Sequence, residues 1–336
     1  MRSRHPSITV ALLALAFVGI PRAAHAAELN VYWERGTYWP GTAFEDFTKQ
    51  TGIAVKFPVT GEQREAIDAL KAEGDTGKGD LIITNTLAHL LEASRAGLLA
   101  PVESRALSAN VPSHLRDPQH RWFGIAMRPR TIVYSTERVK PSELSTYEAL
   151  RDPKWKGRLC LRTSQSPYNT FLVGSWIKRH GEAKTEQLLK GWMANAPLVT
   201  DKDSKIVKAI AAGTCDVAVV TTYYVGREVA ANPSFPVAPF WADQKGAGVV
   251  VSVAGAAVAA RTKNRAAAIK LLEYLTSAEA QNKVADVNYE YPVNPKVTPH
   301  PILAKWGRFK ADQVGVAAAA ELTGAAAKLA ERAGYK

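Results

Sequence analysis

Tyrosines follow the ends of several strand-like segments in this sequence. Tyr223 and Tyr224 come directly after the strand-like segment 217–222, and Tyr168 and Tyr38 lie in two other loops that follow strands. Adjacent residues of a strand point to opposite faces, so the chain must leave strand geometry there if both rings of the pair are to face one cleft. The four phenols predict a ligand-binding site in the loops at the carboxyl ends of the strands.

A phenol is a suitable ligand for a hard metal ion of high charge. Its ordinary pKa is about 10, so the free phenolate is scarce at neutral pH. A bound cation displaces the proton, and Fe(III) is a hard ion that pairs with phenolate oxygen. Packing aromatics are the alternative interpretation, and for the adjacent pair Tyr223 and Tyr224 the residues leave both interpretations open.

Arginines and hydroxyl side chains accompany these tyrosines. Arg162 is followed by Ser164 and two further hydroxyl residues before a predicted helix over 168–180. The free N–H groups of a helix N-terminus, together with hydroxyls and an arginine, predict an anion site. Arg128 and Arg130 are two positions apart, so they share one face of a strand and could donate hydrogen bonds to a phenolate. Ordinary surface arginines remain the alternative.

Catalytic motifs are absent from the sequence. It contains no nucleophile elbow, zinc-protease motif, P-loop or dinucleotide fingerprint. The histidines that follow residue 26 have no partner at metal-ligand spacing; they are His89, His114, His120, His180 and His300. We interpret them as structural and expect no enzyme.

The composition narrows the class of protein. The chain has 336 residues, 46% hydrophobic and 22% charged, which excludes disorder, collagen and coiled coil as the main architecture. The net charge of +12 favours acidic partners. Lysines and arginines are scattered, however, and no nucleic-acid-binding motif occurs, so we expect no nucleic-acid partner.

Residues 1–26 have the pattern of a secretory signal. A basic start precedes the apolar run 8–20, and 24–26 is a small-x-small cleavage sequence. The run is shorter than the about 20 residues that a membrane span needs. We predict cleavage near Ala26 and a soluble exported protein; an uncleaved anchor is the alternative, against which the alanine-rich cleavage sequence argues.

Export permits a disulfide, and the two cysteines are Cys160 and Cys215. Each lies in a strand-like run, so we predict one bridge between neighbouring strands. The bridge would close a loop of roughly 55 residues, for which the chain-entropy model gives about 4 kcal/mol. Two buried free thiols are the alternative.

Strand-like and helix-like segments alternate along the rest of the chain. The predicted strands are 28–32, 53–59, 80–84, 122–135 (one or two strands, broken at Pro129), 158–162, 216–221 and a pair over 248–260. The predicted helices are 42–51, 63–73, 87–96, 145–150, 168–180, 204–212, 266–275, 278–287 and 317–333. The alternation predicts an α/β fold with mainly parallel sheets.

The chain is near the length at which a single hydrophobic core is replaced by two. We therefore predict two α/β lobes with a ligand cleft between them. We expect the lobes to be joined by crossing strands near 122–130 and 217–224, with a third return near 246–253. We also expect the strands of the two lobes not to form one continuous sheet.

Several stretches of the chain are characteristic of a known family. They are 47–53, 139–148, 152–157, 160–164, 168–169, 222–224, 290–295 and 309–312. On these stretches the sequence resembles the ferric-ion-binding periplasmic proteins of bacterial iron ABC transporters, within the extracellular solute-binding proteins. The Tyr-Tyr pair and the upstream Arg…Tyr-Asn loop indicate the iron branch.

The resemblance implies a ferric ion held in the cleft by tyrosines from both sides. Tyr223 and Tyr224 match the paired ligands, Tyr168 matches the loop tyrosine, and Arg128 matches an outer arginine. The first-lobe loop departs from the family pattern Arg-His-Tyr-Asp, because 35–39 reads Arg-Gly-Thr-Tyr-Trp. The histidine is missing there.

A shift of one residue aligns Tyr38 with the family's tyrosine, so we expect Tyr38 to be a weaker fourth ligand. That position should leave room for water or a synergistic anion, such as carbonate or citrate, near Arg162 and Ser164. The same fold could instead hold an organic ligand, such as a polyamine, a thiamine-like or a phosphorylated compound, with Trp33 and Trp39 lining the pocket.

The resemblance also implies the bilobal periplasmic-binding-protein fold, with hinge strands between the lobes. We predict an N-terminal lobe of 27–127 plus 250–298 and a C-terminal lobe of 128–249 plus 299–336. The implied location is the periplasm, the implied state is a monomer, and the implied partner is an inner-membrane ABC permease.

Overall fold

The computed structural model describes residues 28–34, 41–61 and 64–336. The strands in these ranges are β1 Glu28–Glu34, β2 Ala54–Gly61, β3 Leu81–Thr84, β4 Phe123–Ser135, β5 Leu159–Arg162, β6 Leu198–Thr200, β7 Val217–Thr221, β8 Val237–Phe240 and β9 Val250–Val258. The α-helices are α1 Gly41–Thr51, α2 Glu65–Ala72, α3 Leu87–Arg95, α4 Arg105–Asn110, α5 Pro167–His180, α6 Glu182–Asn195, α7 Asp203–Ala211, α8 Tyr223–Ala231, α9 Arg265–Leu275, α10 Ala278–Asn288, α11 Pro301–Ala304, α12 Val316–Glu321 and α13 Thr323–Arg332. In the same ranges, no helix combines the length and apolarity needed to cross a membrane.

Hydrogen bonds connect the strands in the order β2-β1-β3-β9-β4-β7-β5-β6, and β8 pairs with β4. At one end of this path, β1 is parallel to both β2 and β3. At the other end, β5 is parallel to both β6 and β7. The α/β class with parallel strands is therefore confirmed, and the carboxyl ends of these strands are where ligand-contacting loops are expected.

Two long antiparallel strands join the two parallel groups. β4 pairs with β9 over 123–130 and with β7 over 130–134, while β9 also pairs with β3 over 255–258. The predicted crossings at 122–130 and 246–253 thus correspond to β4 and β9. The predicted crossing at 217–224 is wrong, because within the described ranges β7 pairs with β4 and β5 alone.

The strands also form one connected path, although we expected no continuous sheet. The physical reason is the length of β4, whose 13 residues are enough to pair with both β7 and β9, and β9 continues the path to β3. Pro129 does not interrupt this strand. Its carbonyl accepts a hydrogen bond from Thr222 N at 3.0 Å. The N–H that a proline lacks would point to the same side of β4, where the pairing with β7 has already ended, so no ladder hydrogen bond is lost.

The helices cover the sheet and form the core with it. In the second half of the chain, Trp176 on α5 meets Trp192 on α6 edge-on, with ring centroids 5.0 Å apart, and Tyr147 packs on Trp176. The predicted helix 317–333 is divided into α12 and α13, which both pack against α5. α12 also contacts α3, so the carboxyl-terminal segment touches both halves of the fold.

Candidate metal centre

Three of the four predicted tyrosines lie together at the carboxyl ends of β5 and β7. β7 ends at Thr221 and α8 begins at Tyr223, so the chain leaves strand geometry where the sequence analysis required it. The rings of Tyr223 and Tyr224 pack with centroids 4.2 Å apart. The hydroxyl of Tyr168, in the first turn of α5, is 3.3 Å from the hydroxyl of Tyr223.

The three phenols differ in exposure. Tyr223 is buried, with 5% of its surface exposed, while Tyr168 and Tyr224 are half-buried. Tyr38, the fourth predicted ligand, lies outside the described residues, as does Trp39. The ring of Tyr223 is therefore enclosed by protein, while Tyr168 and Tyr224 keep part of their surface exposed.

Arginines surround the tyrosine rings. The guanidinium carbon of Arg162 lies 5.0 Å from the ring centroid of Tyr168, and that of Arg128 lies 5.9 Å from the centroid of Tyr223. The guanidinium of Arg227, one helical turn after the tyrosine pair, lies 4.8 Å from the centroid of Tyr223. Sequence reasoning missed Arg227, although its spacing of four residues from Tyr223 on a helix was available as a signal.

Burial dominates the proton affinity of Tyr223 and Tyr224. It raises the pKa of Tyr223 well above the ordinary value; Tyr168 and Tyr224 raise it further, and Arg128 lowers it. Burial also raises the pKa of Tyr224, an effect that Arg162 opposes. The metal-free protein therefore holds Tyr223 and Tyr224 as neutral phenols at neutral pH, and a cation must displace their protons to bind.

Arg128 is fixed by two partners. Its Nε donates to Glu290 Oε1 at 2.5 Å and its Nη1 donates to the carbonyl of Asn85 at 2.9 Å. Burial alone would lower the pKa of Arg128, but the charge of Glu290 and the adjacent phenols raise it, so the guanidinium stays charged. Arg128 therefore presents a fixed positive charge beside Tyr223.

Arg130 points to a different group from the one we expected. Its Nη1 donates to Asp203 Oδ2 at 2.7 Å and to Thr221 Oγ1 at 3.1 Å, so it contacts a carboxylate rather than a phenol. Arg162 Nη1 lies 3.4 Å from the same Asp203 oxygen. Asp203 is fully buried and was missed in the sequence, where one acidic residue at a helix start carries no distinguishing signal.

The loop between β5 and α5 carries unpaired polar atoms. Ser164 is 2% exposed, and its Oγ has no hydrogen-bond partner among the described residues. In that part of the chain, the Oγ of Ser166 and the Nε of Arg162 also lack partners. Buried polar groups are normally satisfied, so these donors fit the predicted site for water or an anion.

The carboxyl-terminal residues hold this loop in place. Asn169 Nδ2 donates to the carbonyl of Arg162 at 2.8 Å and to the hydroxyl of Tyr335 at 2.7 Å. The hydroxyl of Tyr335 in turn donates to the carbonyl of Arg162. Sequence reasoning missed Tyr335, because no local pattern indicates that it packs against a loop so distant in the chain.

The predicted disulfide is confirmed. Cys160 and Cys215 are bridged, with Cα atoms 5.8 Å apart. Cys160 lies in β5 and pairs in register with Ala218 of β7. The bridge is nearer the amino ends of these parallel strands, whereas Arg162 and Tyr223 lie at or beyond their carboxyl ends.

The chemistry of the donors points to oxygen ligands. Within the described ranges, no three His, Cys, Asp or Glu side chains converge in a group that could hold a metal ion. Trp33, proposed above as a wall for an organic ligand, packs instead on Phe44 and Phe57, with ring centroids 6.0 and 5.2 Å away. The phenols of Tyr168, Tyr223 and Tyr224 are the donors that the described residues bring together.

The fold and the site define an α/β binding protein with a ligand cleft. Residues 80–308 match the family described as bacterial extracellular solute-binding protein. The chain belongs to this family, whose members bind substrates for transport.

Individual relatives agree with this assignment. Iron uptake protein A1 of Synechocystis sp. is 37% identical over 316 residues, which covers 92% of this chain and 88% of that protein. The solved structure of the Trichodesmium protein called IdiA or FutA, in complex with iron and citrate, has a TM-score of 0.87 and 35% identity, covering 92% of this chain and all of that chain. The ferric binding protein from Campylobacter jejuni has a TM-score of 0.84 and 30% identity over the same share of this chain and all of its own. The fold of this chain is the bilobal fold of such periplasmic binding proteins.

Proposed function

We propose that this protein captures ferric iron in the cleft through tyrosine phenolates and delivers it to an inner-membrane ABC permease. The observation that carries the proposal is the convergence of three phenols, with the hydroxyls of Tyr168 and Tyr223 3.3 Å apart. The similarity to an iron uptake protein and to a structure with iron and citrate supports the same ligand.

In this proposal Tyr168, Tyr223 and Tyr224 are direct ligands and Tyr38 is a weaker fourth. Three phenolates would carry three negative charges, which balance the charge of Fe(III). The guanidinium groups of Arg128 and Arg162 stabilise the phenolates while the ion is being bound or released. Citrate or carbonate would complete the coordination near Arg162 and Ser164, where the unpaired donors lie.

The proposed lobes are 27–127 plus 250–298 and 128–249 plus 299–336. The parallel groups β1–β3 and β5–β7 fall on opposite sides of this division, which supports it. The packing of α12 and α13 on α5 supports assigning the carboxyl-terminal segment to the second lobe. Closure of the two lobes about β4 and β9 would then enclose the ion.

We further propose that the protein acts in the periplasm as a monomer, after cleavage of residues 1–26 near Ala26. It would bind and release iron without catalysing a reaction. The signal pattern in the sequence supports export.

An absorbance titration tests the proposal. Fe(III) added with citrate to the purified protein should produce a visible tyrosinate charge-transfer band, and Fe(II) without an oxidant should not. Tyr224→Phe, which removes a principal ligand, should weaken iron binding so far that citrate retains the ion and the band is lost. The melting temperature of the metal-free variant should stay nearly unchanged, because ring volume is kept.

Tyr134→Phe is the matched control, because Tyr134 is a half-buried tyrosine on β4 outside the cluster. It should retain the band of the parent. If the parent gives no band, or if Tyr224→Phe binds iron as the parent does, the phenols are not ligands and the organic-ligand alternative is the better one.

A further inference from the structure

A histidine and a buried carboxylate form a pair at the other parallel group of strands. Glu34 is the last residue of β1, and its Oε1 contacts Nδ1 of His89 in the first turn of α3. β1 and β3 are parallel neighbours, and α3 follows β3. Both residues therefore lie at a carboxyl edge of the sheet, where ligands bind in folds of this class.

The pair fixes which nitrogen of His89 is available. A carboxylate is an acceptor, so Nδ1 must donate its proton to Glu34. In the neutral ring Nε2 then carries the free lone pair. Glu34 is 1% exposed and its Oε2 accepts from Asn85 N at 2.9 Å, so the carboxylate that orients the ring is itself held.

Among the described residues, His89 Nε2 has no competing partner. No hydrogen bond joins it to any residue in the described ranges, and 18% of the side chain is exposed. A carboxylate on one ring nitrogen is the usual arrangement behind a histidine whose other nitrogen binds a metal. Our sequence analysis treated His89 as structural because no ligand partner lies near it in the sequence.

Contacts connect this pair to the tyrosine centre. Asn85, whose backbone N–H is bound by Glu34, also accepts from Arg128 Nη1 at 2.9 Å through its carbonyl. The Arg128 guanidinium lies 5.9 Å from the Tyr223 ring centroid. Arg128 therefore lies between Asn85, which follows the end of β3, and the ring of Tyr223, a proposed iron ligand.

We propose that Nε2 of His89 binds the ferric ion from the first lobe, and that Glu34 is the positioning residue that orients it. This inference rests on the proposed function. Imidazole is a suitable ligand for iron. It would supply a first-lobe nitrogen donor from α3, whereas the loop 35–39 contains no histidine.

The chain offers a matched control. His120 makes the same kind of contact, with Nδ1 2.9 Å from Glu103 Oε1. In this second pair the carboxylate side chain is 85% exposed. No described contact joins His120 to the tyrosines or to Arg128. His120→Gln removes a carboxylate-paired imidazole without touching the proposed centre.

The experiment uses electron spin echo modulation of the Fe(III)–citrate-loaded protein, unlabelled and with 15N-histidine. The parent should show modulation from a directly coordinated imidazole nitrogen, which changes when histidine carries 15N. His89→Gln should remove this modulation, keep a shifted tyrosinate band, and lower iron affinity by about 10-fold or more. Glu34→Gln should weaken affinity less and retain the modulation, and His120→Gln should match the parent.

The outcomes separate the two proposals. A parent without any tyrosinate band would overturn the proposed function itself. A parent with the band but without histidine nitrogen modulation would overturn the role of His89 alone. So would a His89→Gln variant whose modulation and affinity equal those of the parent. An unchanged melting temperature of metal-free His89→Gln would establish that any loss is not due to unfolding.

Discussion

The hydroxyls of Tyr168 and Tyr223 share a hydrogen bond of 3.3 Å, although 55 residues separate them in the sequence. Two neutral phenols can share a proton in this way. Two phenolates at this distance would repel each other, unless a cation lies between them. In the proposed function, the ferric ion supplies this cation.

Iron binding should weaken as pH falls. The pKa values of Tyr223 and Tyr224 are raised by burial, so both are protonated in the metal-free protein and each must lose a proton on binding. Affinity for Fe(III) should fall by about 100-fold per pH unit on account of this pair. The visible band, followed from pH 8 to pH 5 at constant citrate, measures this. An affinity independent of pH, with the protein folded throughout, would contradict the phenolate ligand set.

Tyr38 should contribute less than the three clustered tyrosines. Tyr38→Phe is expected to shift or weaken the visible band without removing it, because the other phenolates remain. A spectrum identical to that of the parent would exclude Tyr38 as a ligand. Complete loss of the band would make it a principal ligand instead.

Arg162 should contribute more to binding of the citrate anion than to direct binding of Fe(III). Removing its charge with Arg162→Gln should lower the affinity for Fe(III) in the presence of citrate by about 10-fold or more, the usual worth of a hydrogen bond to a charged group. Arg158→Gln is the control, since Arg158 precedes the same strand and bonds Asp216 instead. Calorimetric titration with and without citrate measures the difference, and an equal loss in both conditions would assign Arg162 to the phenolates alone.

The disulfide should stabilise the fold without being needed at the metal centre. Replacing both Cys160 and Cys215 by alanine should lower the free energy of unfolding by about 4 kcal/mol, from the loop that the bridge closes. Urea denaturation measures this value. The visible iron band of the folded variant should match that of the parent, because the bridge lies toward the opposite ends of the strands. Free thiols in the denatured, unreduced parent would contradict the bridge.

Tyr335 should link stability to the loop that precedes Tyr168. Tyr335→Phe keeps the ring but removes the hydroxyl that bonds Asn169 and the carbonyl of Arg162. The free energy of unfolding should fall by about 1–3 kcal/mol, and iron affinity should fall with it. Tyr291→Phe is the control, as this buried hydroxyl has one long contact of 3.5 Å far from the loop. Iron affinity unchanged in Tyr335→Phe would show that the loop keeps its geometry without this anchor.

Local patterns were sufficient to predict much of the fold and part of the site. The alternation of strands and helices gave the α/β class, and the position of Tyr223 and Tyr224 after an apolar run indicated a strand end. Arg162 and Ser164 were found from their place before a helix. All of these signals lie within a few residues of the feature that they predict.

Features that depend on distant pairings could not be predicted in this way. Pro129 is an ordinary strand breaker, and only the end of the β7 ladder beside it explains why β4 continues. Asp203 and Tyr335 reach the site through packing between segments far apart in sequence. Glu34 and His89 form a pair because β1 and β3 are neighbours, which their spacing in the chain does not reveal.

The place of β9 in the sheet has a consequence for how the protein is made. Synthesis delivers β1, β2 and β3 early, but the strand that covers the free edge of β3 comes from residues 255–258. Until that segment has left the ribosome, the edge of β3 has no partner and the first core cannot close. Pairings over such a distance also slow folding. A growing chain that still lacks residues 255–258 leaves this edge of β3 unpaired, and an incompletely folded chain is the form that can still be threaded across a membrane.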